Sequence, residues 1–184
     1  MTTIQNIRIQ KVSIKNQTLA AMAAIVAAVA LPQLFHGIGA ITGAGTALGE
    51  MFLPMHLPVI LVGLLAGPLA GGLAGFMGPM VSFLLSGMPG MAMLPFIMIE
   101  LTVYGLAAGF LRSVNLPTIA KVLAVQVAGR GVRAVAILAA VQLLGNTKIA
   151  VAVIWTSIVT GLIGIVLQLV LIPFVVRWVE NHAQ

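Results

Sequence analysis

Apolar residues run through most of the chain in six long stretches, and most of the charged residues lie in the segments between or beside them. The stretches are residues 18–34, 54–66, 69–86, 91–111, 119–144 and 149–176. Apolar runs on this scale are typical of helices that cross the hydrocarbon layer of a membrane. The pattern predicts an all-α polytopic membrane protein with six transmembrane helices, built as one integral membrane domain over residues 1–184.

The segments between these stretches differ in length and composition. Residues 1–17 are polar and predict an N-terminal segment outside the membrane, whereas glycine with proline or asparagine at 87–90 and 145–148 predicts tight turns. Residues 35–52 contain five glycines and have no helical apolar stripe. We expect an outer loop or a re-entrant connection over 35–52.

The stretch from 48 to 89 is the most irregular part of the chain, because it combines prolines, glycines and methionines with almost no charge. Pro54, Pro58, Pro68 and Pro79 leave backbone groups unpaired, and such groups are not tolerated against lipid. Four glycines within 71–78 predict a thin helix that lies close to its neighbours. The stretch is interpreted as the edge of the outer loop followed by a thin helical hairpin that lines one side of a cavity.

Composition excludes several classes of function. Hydrophobic residues make up 61% of the chain and charged residues 7%, with a mean hydropathy of +1.18, so a soluble module such as an ATPase has no room. The absence of cysteine excludes disulfides and thiolate metal sites. No HExxH, GxSxG or Walker sequence occurs, and we predict neither an enzyme nor a bound cofactor.

The basic residues indicate topology rather than nucleic-acid binding. The net charge is +6, but the nine lysines and arginines are scattered, mostly at the ends of apolar runs, without interleaved aromatic residues. Six spans place both termini on one side, which carries Arg8, Lys11, Lys15, Arg112, Lys121 and Arg177, against Lys148 alone on the other. The positive-inside rule therefore predicts that both termini are cytoplasmic.

Three ionisable residues lie inside predicted spans: Glu100 in the fourth span, and Arg130 and Arg133 in the fifth. The helical rise places Glu100 about 14 Å from the start of its span at Met91, with Arg133 and Arg130 about 17 and 21 Å from Leu144. Charges at this depth must find partners. One alternative is that Glu100 pairs with one arginine and leaves the other for an anionic group. The other alternative is a purely structural ion-pair network that holds spans four and five together. Tyr104, one turn beyond Glu100, fits either alternative.

The remaining polar candidates lie in or near the predicted outer loop. His36, Glu50 and His56 have the residue types of a metal site, but their spacing matches no ligand motif, and we predict no metal. His56, between two prolines, is interpreted as a residue that shapes the loop or contacts a ligand. The methionines clustered between 51 and 98 fit flexible packing around an apolar ligand better than a copper site.

The first span carries small residues at helical spacing. Ala20, Ala24 and Ala28 form one ridge, which we call the alanine ridge. Small residues four apart allow another helix to approach closely. The partner of the ridge is either another helix of this chain or a separate subunit.

These features together resemble the substrate-binding S components of energy-coupling factor (ECF) vitamin transporters. The resemblance covers nearly the whole chain and is carried by its length, its six spans, the AxxxA pattern of the alanine ridge, and residues 53–89, LPMHLPVILVGLLAGPLAGGLAGFMGPMVSFLLSGMP. The resemblance implies a multi-pass protein of the bacterial cytoplasmic membrane. It also implies partners: a transmembrane coupling subunit, two cytoplasmic ATPases, and a vitamin-like small molecule.

The resemblance further implies an outward-facing pocket formed by the first outer loop and spans four to six. It also implies that the protein topples in the membrane to release its cargo inward. By position, the expected substrate-binding residues are His36, Thr42, Thr46, His56, Glu100, Tyr104, Arg130 and Arg133, and the expected partner-docking residues are Ala20, Ala24 and Ala28.

The cargo is predicted only in outline. Aromatic residues are 5% of the chain and offer few stacking surfaces, whereas methionines and spare arginine charge suit a bulky cargo of mixed polarity with an anionic group. Cobalamin or another corrinoid fits that description, and pantothenate is a smaller candidate. Two other classes stay open: a structural subunit of a membrane complex that binds no ligand, and a stand-alone secondary transporter, for which no inverted halves are apparent.

Overall fold

The computed structural model describes residues 13–182, which form eight α-helices and contain no strand. The helices are α1 (Ile14–Thr42), α2 (Ala47–Phe52), α3 (His56–Ala66), α4 (Pro68–Ser86), α5 (Leu94–Leu111), α6 (Thr118–Gln142), α7 (Val153–Thr160) and α8 (Leu162–His182). The predicted N-terminal segment 1–17 is described only from Ser13 onward, so Arg8 and Lys11 lie outside the described residues.

Six segments of the described chain are long and apolar enough to cross a membrane: α1, α2 with α3, α4, α5, α6 and α8. The prediction of an all-α protein with six spans is confirmed. Because six crossings are an even number, the start of α1 and the end of α8 lie at the same end of the bundle, here named the terminal end. The links at 67 and 112–117 lie at this end as well. The opposite end, named the loop end, carries the links at 43–55, 87–93 and 143–152. That the terminal end is cytoplasmic stays a prediction.

Residues 35–52 differ from the predicted loop, because they are mostly helical. Helix α1 continues through Thr42, and α2 begins at Ala47. The break between the two helices coincides with Gly43 and Gly45, whose φ angles of 77° and 58° are left-handed and favour glycine. The backbone N–H of Gly45 donates to Gly39 O at 3.0 Å, so the chain folds back on the end of α1. The glycines here serve a tight reversal rather than a long loop.

The sixth predicted span is divided into α7 and α8 at Gly161. A Cβ at Gly161 would press against the side chain of Leu53, and one at Gly164 would collide with the backbone of Phe52. The end of α2 is therefore wedged against the start of α8. This contact places the α2–α3 junction over the middle of the bundle at the loop end.

Helix α5 lies at the centre of the bundle, against α3, α4 and α6. Its contact with α4 is very close, because the backbones of Gly71 and Gly105 face each other. A Cβ on either glycine would collide with the backbone of the other helix. The predicted thin helix is thus confirmed in α4. Helices α1 and α8 lie outside and expose most of their apolar side chains, as expected for surfaces that meet lipid.

Candidate functional site

A buried cluster of charged and polar side chains joins α5 to α6. Glu100 of α5 is fully buried, and its Oε2 accepts a hydrogen bond from Arg133 Nη1 of α6 at 2.7 Å. Tyr104, one turn further along α5, donates its hydroxyl to Glu100 Oε1 at 3.0 Å. Of the two pairings that the depth estimate allowed, the structure therefore has Glu100 with Arg133.

A single glycine allows these helices to come close enough for the pair. The ring of Tyr104 lies directly over Gly129 of α6, and a Cβ at Gly129 would collide with that ring. Arg133 is four residues beyond Gly129, one helical turn, and so faces the carboxylate of Glu100. The sequence around Gly129 reads GRGVR, and the first glycine was not identified from the sequence as a site residue.

The larger of two cavities near this cluster lies between α6 and the segment 151–158, and its volume is about 470 Å³. It is lined by Val127, Arg130, Gly131, Arg133, Ala134, Ile137, Leu138, Val151, Ile154, Trp155, Ser157 and Ile158. Arg130 and Arg133 are the two charged residues in this lining, and the rest is almost entirely apolar. We call this space the arginine cavity.

The two arginines of this cavity differ in ion pairing. Arg133 is neutralised by Glu100, whereas no described carboxylate lies within ion-pair distance of Arg130. The Nε of Arg130 is also buried and has no hydrogen-bond partner among the described residues. Arg130 therefore presents positive charge to the cavity.

The smaller cavity lies under α2 at the loop end, and its volume is about 150 Å³. It is lined by Pro32, His36, Thr46, Gly49, Glu50, Leu53, Pro54, Met55, His56, Ser82, Met88, Pro89 and Ile97. Most of these residues belong to the 48–89 stretch, which agrees with the interpretation that this stretch lines one side of a cavity. We call this space the histidine cavity.

His56 stands between the histidine cavity and the buried glutamate. Its Nε2 is 3.9 Å from Glu100 Oε1, which is too long for a hydrogen bond. Its ring lies against Tyr104, with centroids 5.4 Å apart. Neither ring nitrogen has a hydrogen-bond partner in the described part of the chain. Glu100, Tyr104 and His56 thus form a wall with one cavity on each side.

A second buried polar contact joins α6, α8 and the α2–α3 junction, and it was not predicted from the sequence. Gln126 Nε2 of α6 donates to Gln168 Oε1 of α8 at 3.0 Å, and Gln168 Nε2 donates to the backbone oxygen of Leu53 at 3.3 Å. Both glutamines are buried inside predicted spans. Their uncharged polarity within apolar runs was the available signal.

The structure brings most of the predicted substrate-binding residues together but divides them between two spaces. His36, Thr46 and His56 line the histidine cavity, Arg130 and Arg133 line the arginine cavity, and Glu100 and Tyr104 form the wall. Thr42 lines neither cavity. Its hydroxyl is exposed and donates to Ile38 O at 2.9 Å. Ser82 of α4 also lines the histidine cavity.

The alanine ridge lies largely inside the bundle. Ala24 and Ala28 belong to the hydrophobic core, and Ala20 is partly buried against it. A Cβ added at Gly78 of α4 would meet the methyl of Ala28 at 3.2 Å, so these small residues let α1 and α4 pack closely. This packing corresponds to the alternative in which the ridge contacts another helix of this chain.

The described residues contain no group of three or more His, Asp or Glu side chains placed to hold a metal ion. Six membrane-crossing helices that enclose buried charges and two cavities define a membrane protein able to hold a solute between its helices.

Comparison with known proteins identifies the family. The family model for the substrate-specific component of ECF transporters matches residues 17–176. The match covers most of the chain, and the chain belongs to this family. It is a substrate-binding subunit of an ECF transporter, as the resemblance implied. Neither the curated proteins nor the solved structures gave a match.

Proposed function

We propose that this S component binds a small organic anion in the arginine cavity and that Arg130 is its main contact. The observation that supports this role is the unequal state of the two arginines. Glu100 already balances Arg133, while no carboxylate of the described residues forms an ion pair with Arg130. A cation at this depth in a membrane protein needs a counter-charge or a polar partner. A carboxylate or phosphate of the cargo supplies one.

The dimensions of the cavity favour a small cargo. Its volume of about 470 Å³ lies within the range of roughly 300–1,000 Å³ that is typical of pockets for small organic ligands. Ile137, Ile154 and Trp155 offer apolar contacts beside the arginines. A carboxylate of the size of pantothenate fits such a space. A corrinoid has a far larger ring system and requires the helices to separate, so we favour the smaller of the two predicted cargo types.

Mass spectrometry of the ligand retained by the purified protein tests this proposal. The protein is extracted from cells directly into lipid nanodiscs, and the retained small molecules are identified for the native chain and for Arg130→Gln. We expect a carboxylate- or phosphate-bearing compound in the native protein. Its occupancy should fall by tenfold or more in Arg130→Gln, because a charge-assisted hydrogen bond is worth about 1.5–3 kcal/mol.

Lys148→Gln is the matched control, since Lys148 is a cation of the loop end that lines neither cavity. Its occupancy should equal that of the native protein. A retained corrinoid, or equal occupancy in native and Arg130→Gln protein, would contradict the proposal. Absence of any retained ligand, together with normal assembly, would favour a structural subunit instead.

Membership of the family implies association with a coupling subunit and ATPases. We further propose that α1 makes the contact with the coupling subunit. The contacting surface is the lipid-facing side of α1 next to the alanine ridge. Ala23 and Ala30 are exposed on α1, whereas Ala24 and Ala28 are buried. Small exposed residues allow a partner helix to approach.

Two neighbouring substitutions separate the possibilities for the alanine ridge. Ala23→Leu should reduce recovery of the coupling subunit in co-purification without changing thermal stability, whereas Ala24→Leu should lower thermal stability because it overfills the α1–α4 contact. If Ala24→Leu is stable and loses the coupling subunit while Ala23→Leu retains it, the ridge itself is the docking surface.

A further inference from the structure

We infer that the histidine cavity is a second binding site, which accepts a single-ring nitrogen heterocycle that is neutral or positively charged. This inference concerns the opposite side of the wall from Arg130 and does not depend on the anion site. It rests on three properties of the histidine cavity: unpartnered buried polar atoms, a volume that suits one ring, and a charge opposite to that of the arginine cavity.

Several buried polar atoms in the lining have no hydrogen-bond partner among residues 13–182. The Oγ of Ser82 is buried and forms no hydrogen bond, and its residue is 1% exposed. Nδ1 and Nε2 of His56 are likewise buried without partners, with the residue 8% exposed. Each unsatisfied group of this kind costs about 1–3 kcal/mol. Native proteins satisfy nearly all such groups, so a donor and acceptor on a bound molecule fit here.

The size and the apolar part of the lining suit a flat ring. A volume of about 150 Å³ equals that of an engineered protein cavity which binds benzene. The thioethers of Met55 and Met88 lie in the walls together with Pro32, Pro89 and Ile97. Thioether sulfur makes favourable contacts with aromatic rings. A ring with polar atoms at its edge uses both parts of this lining.

The charge around the cavity selects against anions. No lysine or arginine lines it, while Glu50 lies at its exposed edge. The carboxylate of Glu100 is immediately behind His56, 3.9 Å from Nε2. The ring nitrogens of His56 and the hydroxyl of Ser82 together offer hydrogen-bond donors and acceptors. An amino-substituted heterocycle matches this set, whereas a carboxylate would face Glu50, because Glu100 is already paired with Arg133.

The cavity has a route to solution at the loop end. Thr46 and Glu50 in its lining are exposed, and Met88 and Pro89 belong to the link between α4 and α5. A small molecule therefore reaches Ser82 and His56 from the loop end without crossing the wall to the arginine cavity.

The test uses the full chain in lipid nanodiscs and 4-aminopyrimidine as the probe, with benzoate and benzene as comparison compounds of similar size. Binding is followed by saturation-transfer NMR as a function of probe concentration. We expect saturable binding of 4-aminopyrimidine at least tenfold tighter than that of either comparison compound. Ser82→Ala should weaken it by about five- to tenfold, which corresponds to one hydrogen bond of about 1 kcal/mol.

Met88→Trp is a second variant, in the link between α4 and α5 rather than in a packed helix, and should abolish binding by filling the space. Ser157→Ala, in the arginine cavity, is the matched control for Ser82→Ala and should bind normally. Equal binding of benzene would show an apolar void, and equal binding of benzoate would remove the charge selection. Each of these two results would overturn the inference. It would also be overturned if 4-aminopyrimidine showed no saturable binding, or if both Ser82→Ala and Met88→Trp bound it fully. The anion test with Arg130→Gln is unaffected by any of these outcomes.

Discussion

The arginine cavity and the histidine cavity lie on two sides of one wall and have opposite electrostatic character. The lining of the first contains two arginines and no acid, whereas the lining of the second contains Glu50 and no lysine or arginine. Glu100 faces both sides, since Oε2 binds Arg133 and Oε1 faces Tyr104 and His56. Because Glu100 and Arg133 offset each other, the difference in charge between the two linings comes from Arg130 on one side and Glu50 on the other.

The two cavities also differ in construction. The arginine cavity is formed by one long helix, α6, together with the short helix α7 and Val151 just before it. The histidine cavity is formed by the ends of α1, α3, α4 and α5, with α2 above it. Each cavity is also bordered by one short helix without buried residues, which is α7 for the arginine cavity and α2 for the histidine cavity. The number of long helices in the lining is therefore the main difference in construction.

Removal of the shared carboxylate should have the largest effect, because it breaks the wall from both sides. Glu100→Leu leaves Arg133 buried without a counter-charge, and we expect a loss of about 3–5 kcal/mol in the free energy of unfolding. Thermal unfolding in detergent micelles measures this change. The double substitution Glu100→Leu with Arg133→Leu should recover most of the loss, while the exposed Glu50→Gln should be nearly neutral. Equal stability of Glu100→Leu and the native protein would show that the pair is not formed.

Substitution of Gly129 tests the wall from the side of α6. Gly129→Ala places a methyl against the ring of Tyr104 and should lower the free energy of unfolding by about 1–3 kcal/mol through overpacking. Retention of anionic ligand should fall with it, since Arg133 and Arg130 move away from their positions. Gly131, two residues further, has open space around it, and Gly131→Ala is the matched control. It should be neutral or stabilising by up to about 1 kcal/mol.

Substitution in the glutamine contact tests whether the neighbouring helices α6 and α8 hold the lining of the histidine cavity in place. Gln168→Leu removes hydrogen bonds to Gln126 and to the backbone of Leu53, which lines that cavity. Hydrogen bonds between membrane helices average about 0.6 kcal/mol, with a maximum near 1.7, so a loss in this range is expected. Hydrogen exchange of the amides in 47–56 should increase, while that of 118–125 should not. Unchanged exchange at 47–56 would separate the glutamines from the cavity.

The smallest effect is expected at the exposed edge of the histidine cavity. Glu50→Gln removes a solvated charge and should weaken binding of a cationic probe such as imidazolium by about two- to threefold, since exposed charge interactions are worth up to roughly 1 kcal/mol. Binding of neutral 4-aminopyrimidine should not change. The same titration at high salt should give native and Glu50→Gln protein equal affinity. A larger loss would place Glu50 in direct contact with the probe.

Much of the site was predictable because charge inside a membrane is conspicuous. Glu100, Arg130 and Arg133 stand out in apolar runs, and helical rise placed them at similar depth. Which arginine pairs with Glu100 was not predictable, because depth gives no rotation about the helix axis. That rotation follows from Gly129 against Tyr104, a contact between helices 25 residues apart in the chain (129 minus 104).

Errors in the sequence reading arose where glycine has two meanings. Five glycines in 35–52 indicated a loop, yet Gly37 and Gly39 lie within α1, and only Gly43 and Gly45 adopt left-handed φ angles. Similarly, Gly161 divides the sixth apolar run because Leu53 packs against it from a distant part of the chain. Composition alone does not tell a glycine that turns the backbone from one that admits a neighbouring residue.

The sequence alone established a helical membrane protein with six apolar spans, a resemblance to the S components, and three charged residues within those spans. Hydropathy and the desolvation of charge are local to each residue and need no partner to be evaluated. Only the tertiary structure decided that Arg133 is neutralised, that Arg130 is not, and that His56 and Ser82 face a separate cavity. These properties depend on distances between helices, which are fixed by packing of small residues such as Gly71, Gly105 and Gly129 across the bundle.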